Sequence, residues 1–204
     1  MTKTKIAVFV SGGGTNLQAL IDAQAAGVLH SGEIVLVVAS QPTAYALERA
    51  KKAGIKGVVC SKKELGSQEA FEAAISAELA ANGIELIILA GFMSILSEDF
   101  TKQWPERIIN VHPSLIPSFC GKGFYGLKVH EKALEYGVKV TGATVHFVNE
   151  IPDGGKIIAQ KAVEILEDDT PEVLQRRVME QAEWILLPQA AEAVSAQIAK
   201  EKEA

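Results

Sequence analysis

The sequence predicts an α/β protein built on a doubly wound, mostly parallel sheet, and three observations carry that prediction. The first half of the chain repeats a short β-branched apolar run, a polar or glycine turn, and an amphipathic stretch of about 10 to 15 residues, which is the spacing of βαβ units. The apolar runs do not alternate with polar residues, as expected of strands covered by helices on both sheet faces. Two of the amphipathic stretches end at Gly27 and Gly54, where glycine can take the left-handed conformation that closes a helix.

In order, the runs predict strands over 5–10, 33–40, 57–60, 85–90 and 108–111, with helices over 15–26, 45–53 and 68–82 between them. After Gly126 the rhythm changes. A short helix around 128–136 precedes two strands, 141–149 and 156–165, joined by Glu150-Ile-Pro-Asp-Gly-Gly155 into a hairpin added to the sheet. Thr170 then offers an N-cap with Pro171 at the first helical position, and Val173, Leu174, Val178, Ile185 and Leu186 are expected to line one face of a long terminal helix. Residues 200–204 read as a frayed end. No repeat or linker divides the chain, so 1–204 is expected to be a single domain.

Composition narrows the function classes. With 48% hydrophobic residues in 204, a sizeable core is available, and no run approaches the roughly 20 apolar residues that span a bilayer. The start, Met1-Thr-Lys-Thr-Lys5, leads directly into a strand without a cleavable signal pattern, so a cytoplasmic protein without membrane association is expected. Cys60 and Cys120 are too few for a disulfide framework or a zinc site and read as reduced thiols. A net charge of −5 works against nucleic-acid binding, which needs clustered Lys and Arg.

Three turns carry candidate chemistry. Ser11-Gly-Gly-Gly-Thr-Asn16 joins the first strand to the first helix, where backbone N–H groups and the helix dipole favour a phosphate. It lacks the third glycine of the dinucleotide fingerprint, having Leu17 there, and the Gly-Lys-Ser/Thr of a triphosphate loop. Asn110-Val-His-Pro-Ser-Leu-Ile-Pro117 leaves the fifth strand at the carboxyl edge of the sheet, where open α/β sheets place their sites. Asn110 and His112, two apart on extended chain, lean to the same side, and Pro113 and Pro117 stiffen the exit. Asp153 sits in Pro152-Asp-Gly-Gly155, for which a plain hairpin turn is a sufficient explanation. His130 and His146 read as packed or surface residues.

Taken in order, Ser11-Gly-Gly-Gly-Thr-Asn16, Ala90-Gly-Phe-Met-Ser-Ile-Leu96, Asn110-Val-His-Pro-Ser-Leu-Ile-Pro117, Gly142-Ala-Thr-Val-His-Phe-Val148 and Asp153-Gly-Gly155 resemble the phosphoribosylglycinamide formyltransferase family. The resemblance implies a Rossmann-like formyltransferase fold and an enzyme of purine biosynthesis that moves the formyl group of 10-formyltetrahydrofolate to the amine of 5-phosphoribosylglycinamide. It implies that Gly14, Thr15 and Asn16 hold the substrate phosphate, and that Glu180 and Glu183, three apart and so on one helix face, contact the rest of that substrate. The folate would lie along Met93, Ser94, Ile95, Leu96 and the loop Asn149, Glu150, Ile151, Pro152, Asp153, with Asn110 between the ligands. His112 would donate a proton, its pKa raised by Asp153, and no metal is called for. The family can carry an Arg for the folate tail just before the Glu-Ala-aromatic stretch; here Gln68 precedes Glu69-Ala-Phe71. The glycine-rich loop 118–126 reads equally as a lid or as plain surface.

Other functions compete. Methionyl-tRNA formyltransferase and formyltetrahydrofolate deformylase keep the Asn-x-His-Pro-Ser block but are expected to need additional chain at one end. Another formyl-folate transferase, or a non-catalytic sugar-phosphate-binding module, also fits parts of the pattern. Monomer and homodimer are both compatible with the sequence.

Overall fold

The computed structural model describes residues 2–203; Met1 and Ala204, the outermost residues of the start and tail discussed above, lie outside them. The order of elements is β1 (Thr4–Val10), α1 (Thr15–Ala25), β2 (Gly32–Ala39), α2 (Ala46–Lys52), β3 (Lys56–Val59), α3 (Lys62–Leu65), α4 (Gln68–Ala81), β4 (Leu86–Leu89), α5 (Glu98–Lys102), β5 (Ile108–His112), α6 (Leu127–Tyr136), β6 (Val140–Phe147), β7 (Ile157–Glu164), α7 (Pro171–Val178), a π-turn (Met179–Glu183) and α8 (Trp184–Glu201). The seven strands form one sheet in the order β3-β2-β1-β4-β5-β6-β7. Strands β1 to β5 are parallel, while β6 and β7 are antiparallel additions. Strand order reverses beside β1, so the loops after β1 and β4 open a crevice at the carboxyl edge.

The non-alternating strands are explained by two cores. Ile6, Val8 and Val10 of β1 pack with Leu17, Leu20, Leu187 and Ala191 on one face, while Ala7 and Phe9 pack with Phe71, Ile75, Leu79 and Phe100 on the other. Each strand side chain thus meets a helix whichever way it points. Among the described residues, no helix is long and apolar enough to cross a membrane.

The terminal helix departs from expectation. Thr170 caps it and Pro171 opens it, but the π-turn over Met179–Glu183 divides it into α7 and α8. The expected apolar face divides with it: Leu174, Val178 and Leu186 are buried, whereas Val173 and Ile185 are exposed. The division falls just before Pro188, which has no N–H for the Trp184 carbonyl one turn back. Helix α8 runs to Glu201, shortening the frayed end.

Candidate active site

The glycine turn after β1 ends in Gly14, the N-cap of α1, at φ 71°. A Cβ there would lie 2.6 Å from the Cβ of Ala46, so glycine serves both the left-handed turn and the close approach of α2. No side chain caps α1, which leaves its first-turn N–H groups facing the sheet edge. Arg49 braces the turn from behind, its Nε donating to the Gly13 carbonyl at 2.8 Å and its Nη1 to Gln18 at 3.0 Å. Ser11 ties this exit to the next, because the Met93 N–H donates to its Oγ at 2.8 Å.

Asn16 points inward from this first turn. Its Nδ2 donates to Glu183 Oε2 at 2.6 Å, and its Oδ1 is buried without a partner. Burial raises the Glu183 carboxyl above its ordinary pKa, an effect the Asn16 amide partly offsets. Glu180 does not join them: it is exposed and paired with Arg176 at 2.9 Å. The shared helix face expected for Glu180 and Glu183 is therefore absent, because the wider π-turn advances less than 100° per residue and separates positions three apart.

The second cluster depends on strand pairing. β5 pairs antiparallel with β6 so that Asn110 faces His146 and His112 faces Thr144. The Asn110 Nδ2 lies 3.2 Å from His146 Nε2, and His146 Nδ1 lies 2.8 Å from the Phe147 carbonyl. A carbonyl only accepts, so the His146 ring carries a proton on Nδ1, which leaves Nε2 towards Asn110 and Asp153. Thr144 anchors the stiff exit from β5: it donates to the Ser114 carbonyl at 2.7 Å and accepts from the Ile116 N–H at 3.1 Å and from Gln160 at 2.9 Å.

Asp153 brings both histidines into one group. Its Oδ2 lies 3.6 Å from His112 Nδ1, its Oδ1 3.6 Å from His146 Nε2, and it accepts the Gly121 N–H at 2.8 Å. The residue has φ 55°, a left-handed conformation that Asp tolerates better than most side chains. Behind it, a Cβ on Gly155 would fall 1.7 Å from the Phe147 carbonyl, so the turn closes only with glycine there. His146 is the member that sequence reasoning missed. Its signal is non-local, a histidine directly across an antiparallel pair from Asn110.

The electrostatics correct one expectation. Burial lowers the His112 pKa below 6.5, and although Asp153 pulls it upward, as does the hydrogen bond to Phe119, burial prevails. Asp153 is pushed up by burial, but its contact with His146, the charge of His112 and the Gly121 N–H hold it below its usual value. The resting pair is therefore neutral imidazole beside carboxylate. Nε2 of His112 donates to the Phe119 carbonyl at 2.8 Å, which turns the Nδ1 lone pair towards Asp153. Residues Phe119 and Gly121, both in loop 118–126, thus hold the two groups between them. His130, buried on α6 with both ring nitrogens unpartnered, is lowered to about 4 by burial and by the charge of His112.

A cavity of about 150 Å³ opens beside this cluster, with Ser94, Ile95 and Leu96 on one wall, Asn149 to Asp153 on the other, and Asn110 and His146 on its floor. Phe92 lines it in place of Met93, which is 58% exposed. Gln68 lies at the rim, its Nε2 donating to the Ile95 carbonyl at 3.1 Å and to Glu72 at 2.6 Å. Among the described residues, no group of three or more His, Cys, Asp or Glu is placed to hold a metal ion.

Residues 4–190 match the formyl transferase family. The trifunctional purine biosynthetic protein adenosine-3 of Gallus gallus is 46% identical over 193 residues, which cover 95% of this chain and 18% of that protein. The chain therefore spans less than a fifth of the length of this trifunctional relative. Phosphoribosylglycinamide formyltransferase of Haemophilus influenzae is 41% identical over 181 residues, covering 87% of this chain and 81% of that protein. Among solved structures, glycinamide ribonucleotide transformylase 1 from Symbiobacterium toebii superposes with a TM-score of 0.89 at 40% identity, covering 96% of this chain and 89% of that one.

Proposed function

The chain belongs to the formyl transferase family, and we propose that as a single domain over 1–204 it transfers the formyl group of 10-formyltetrahydrofolate to the amine of 5-phosphoribosylglycinamide in purine biosynthesis. The observation that carries this is that Asn110 and Asp153 line one cavity, with His112 3.6 Å behind Asp153, at the same sheet edge as the open start of α1. A phosphate at that helix start, held by N–H groups of Gly14, Thr15 and Asn16, leaves the far end of a glycinamide ribonucleotide to reach Asn110. The buried Asn16–Glu183 pair supports a role in shaping this subsite, while Glu180, which the same reading assigns to the substrate, is exposed and held by Arg176.

In this mechanism the amine nitrogen attacks the formyl carbon, and the carbonyl oxygen takes up negative charge. Its donors are the Asn110 amide and the Nε2–H of His112, once that N–H leaves the Phe119 carbonyl. A neutral imidazole serves as such a donor, so the lowered His112 pKa is compatible with the chemistry. As charge develops on the oxygen, protonated His112 becomes favourable, and Asp153 stabilises its Nδ1–H. The proton lost by the amine passes to the His112–Asp153 pair and then to the folate nitrogen as the carbon–nitrogen bond to the formyl group breaks. The reaction calls for no resident metal. A small-molecule enzyme of this kind is placed in the cytoplasm, as a monomer or homodimer, and the net charge of −5 supports a substrate other than nucleic acid.

The test is a spectroscopic assay with 10-formyltetrahydrofolate, with and without phosphoribosylglycinamide. Tetrahydrofolate released only with the amine supports transfer. Release regardless of the amine points to a deformylase, and no release under either condition points to a binding module.

A further inference from the structure

We propose that the groove between α1 and α8 is a second binding site and that it takes a planar aromatic anion. This is independent of the formyl-transfer reading. The groove has a volume of about 580 Å³, within the roughly 300–1,000 Å³ of small-molecule sites and well above the 150 Å³ beside Asn110. It shares Thr15 with the glycine turn and contains none of Asn110, His112 and Asp153. Its shape follows from the two helices. Ala19, Ala23 and Ala26 recur at i, i+4 and i+7, so one face of α1 lines the groove with methyl groups alone. The other wall comes from the first turns of α8, with Trp184, Ile185 and Pro188. Small side chains on one wall and a large ring on the other leave a slot, and Trp184 is the one aromatic residue lining it. A flat apolar ring fits such a slot and would cover Val28 and Ile185, which are 48% and 39% exposed.

Charge decides the rest of the ligand. Arg49 lines the same groove and is half-buried. Its hydrogen bonds go to the Gly13 carbonyl and the Gln18 amide, and its guanidinium lies 5.2 Å over the Tyr45 ring. Among the described residues, no carboxylate lies within 4.0 Å of it. All three partners are uncharged, and a half-buried cation without a counter-ion favours an anion beside it. Asp22 is the one carboxylate lining the groove, and it accepts from Gln18 Nε2 at 2.9 Å. Gln18 thus stands between the two charges, its oxygen on Arg49 and its nitrogen on Asp22. Asp22 disfavours an anion farther along α1. The anionic group therefore belongs at Arg49, and the ring along the alanine face.

The experiment titrates the protein with two fluorescent probes of one shape, anionic 1-anilinonaphthalene-8-sulfonate and uncharged N-phenyl-1-naphthylamine. The wild type is expected to bind the sulfonate at one saturable site from which excess 10-formyltetrahydrofolate does not displace it. Arg49→Met should raise Kd for the sulfonate roughly tenfold, about the worth of one hydrogen bond to a charged group, and leave the uncharged probe unchanged. Ala26→Phe, at an exposed position on the groove wall, should weaken both probes, and Lys52→Ala, outside the groove, neither. No saturable binding, displacement by the folate, or full affinity in Ala26→Phe overturns the site. An equal response of both probes to Arg49→Met overturns its preference for an anion. Probe affinity that falls as protein concentration rises, with a dimer in sedimentation, gives the groove to a second copy of the chain and overturns the small-molecule assignment.

Discussion

The glycine turn at α1 and the hairpin at β6–β7 meet at one sheet edge but build their chemistry from different material. At α1 the usable groups are backbone N–H donors, set by Gly14 and by an uncapped helix start. At the hairpin they are side chains: Asn110 and His112 on β5, His146 across from them on β6, and Asp153 in the turn beyond. Holding a phosphate needs only a helix start that the backbone can approach, and that is local. Moving a proton needs titratable groups within contact distance, and here those groups are up to 41 residues apart, from His112 to Asp153. The difference predicts that damage to the first region weakens folding and binding, while damage to the second leaves binding and removes turnover.

The largest expected effect tests the hairpin side. Asp153→Asn keeps the shape of the turn but removes the charge facing His112, and kcat should fall by about 10² to 10³, as when a preorganised oxyanion donor is lost. Calorimetry with phosphoribosylglycinamide should give near wild-type affinity; turnover within a few-fold of wild type would sink the proposed role. The next effect tests the glycine turn. Gly14→Ala places a Cβ 2.6 Å from that of Ala46 at a positive φ, and chemical denaturation should register a loss of roughly 1–3 kcal/mol. An unchanged midpoint would mean that α2 yields and that the turn is less constrained than its geometry implies.

The smallest effect separates Glu183 from both. Its folded pKa is raised, so its contribution to stability is fully present below the ordinary carboxyl pKa and is lost as pH rises through the folded value. Glu183→Gln keeps a hydrogen-bond acceptor for Asn16 without the ionisation, and should change stability by less than about 1 kcal/mol at acid pH. With rising pH the variant should gain on the wild type in thermal melts. Parallel pH curves for the two proteins would show that the buried carboxyl does not titrate over that range.

Much of the fold was legible because the relevant signals are short-range. Apolar runs without alternation marked β1 to β5, and Thr170 with Pro171 marked the start of α7. The four- and five-residue helices α3 and α5 were missed because such short segments show too little periodicity to stand out, although Ser61 and Ser97 cap them. The π-turn was missed because a regular 3.6-residue count was carried through it; Pro188, inside the expected helix, was the available warning. In the site, Asn110 and His112 stood out together because they lie two apart on one strand.

His146 did not stand out, and Asp153 stood out through the family resemblance more than through its own turn; the reason is register. By itself the sequence determined that strands and helices alternate, that a glycine turn opens a helix at the carboxyl edge, and that Asn110 and His112 share a side, because each of these depends on neighbours within a few residues. Only the tertiary structure decided that His146 lies across from Asn110, that Asp153 turns its carboxylate between two histidines, and that burial outweighs that carboxylate in setting the charge of His112. Pairing partners and solvent exclusion are properties of the assembled sheet, and no local window of residues contains them.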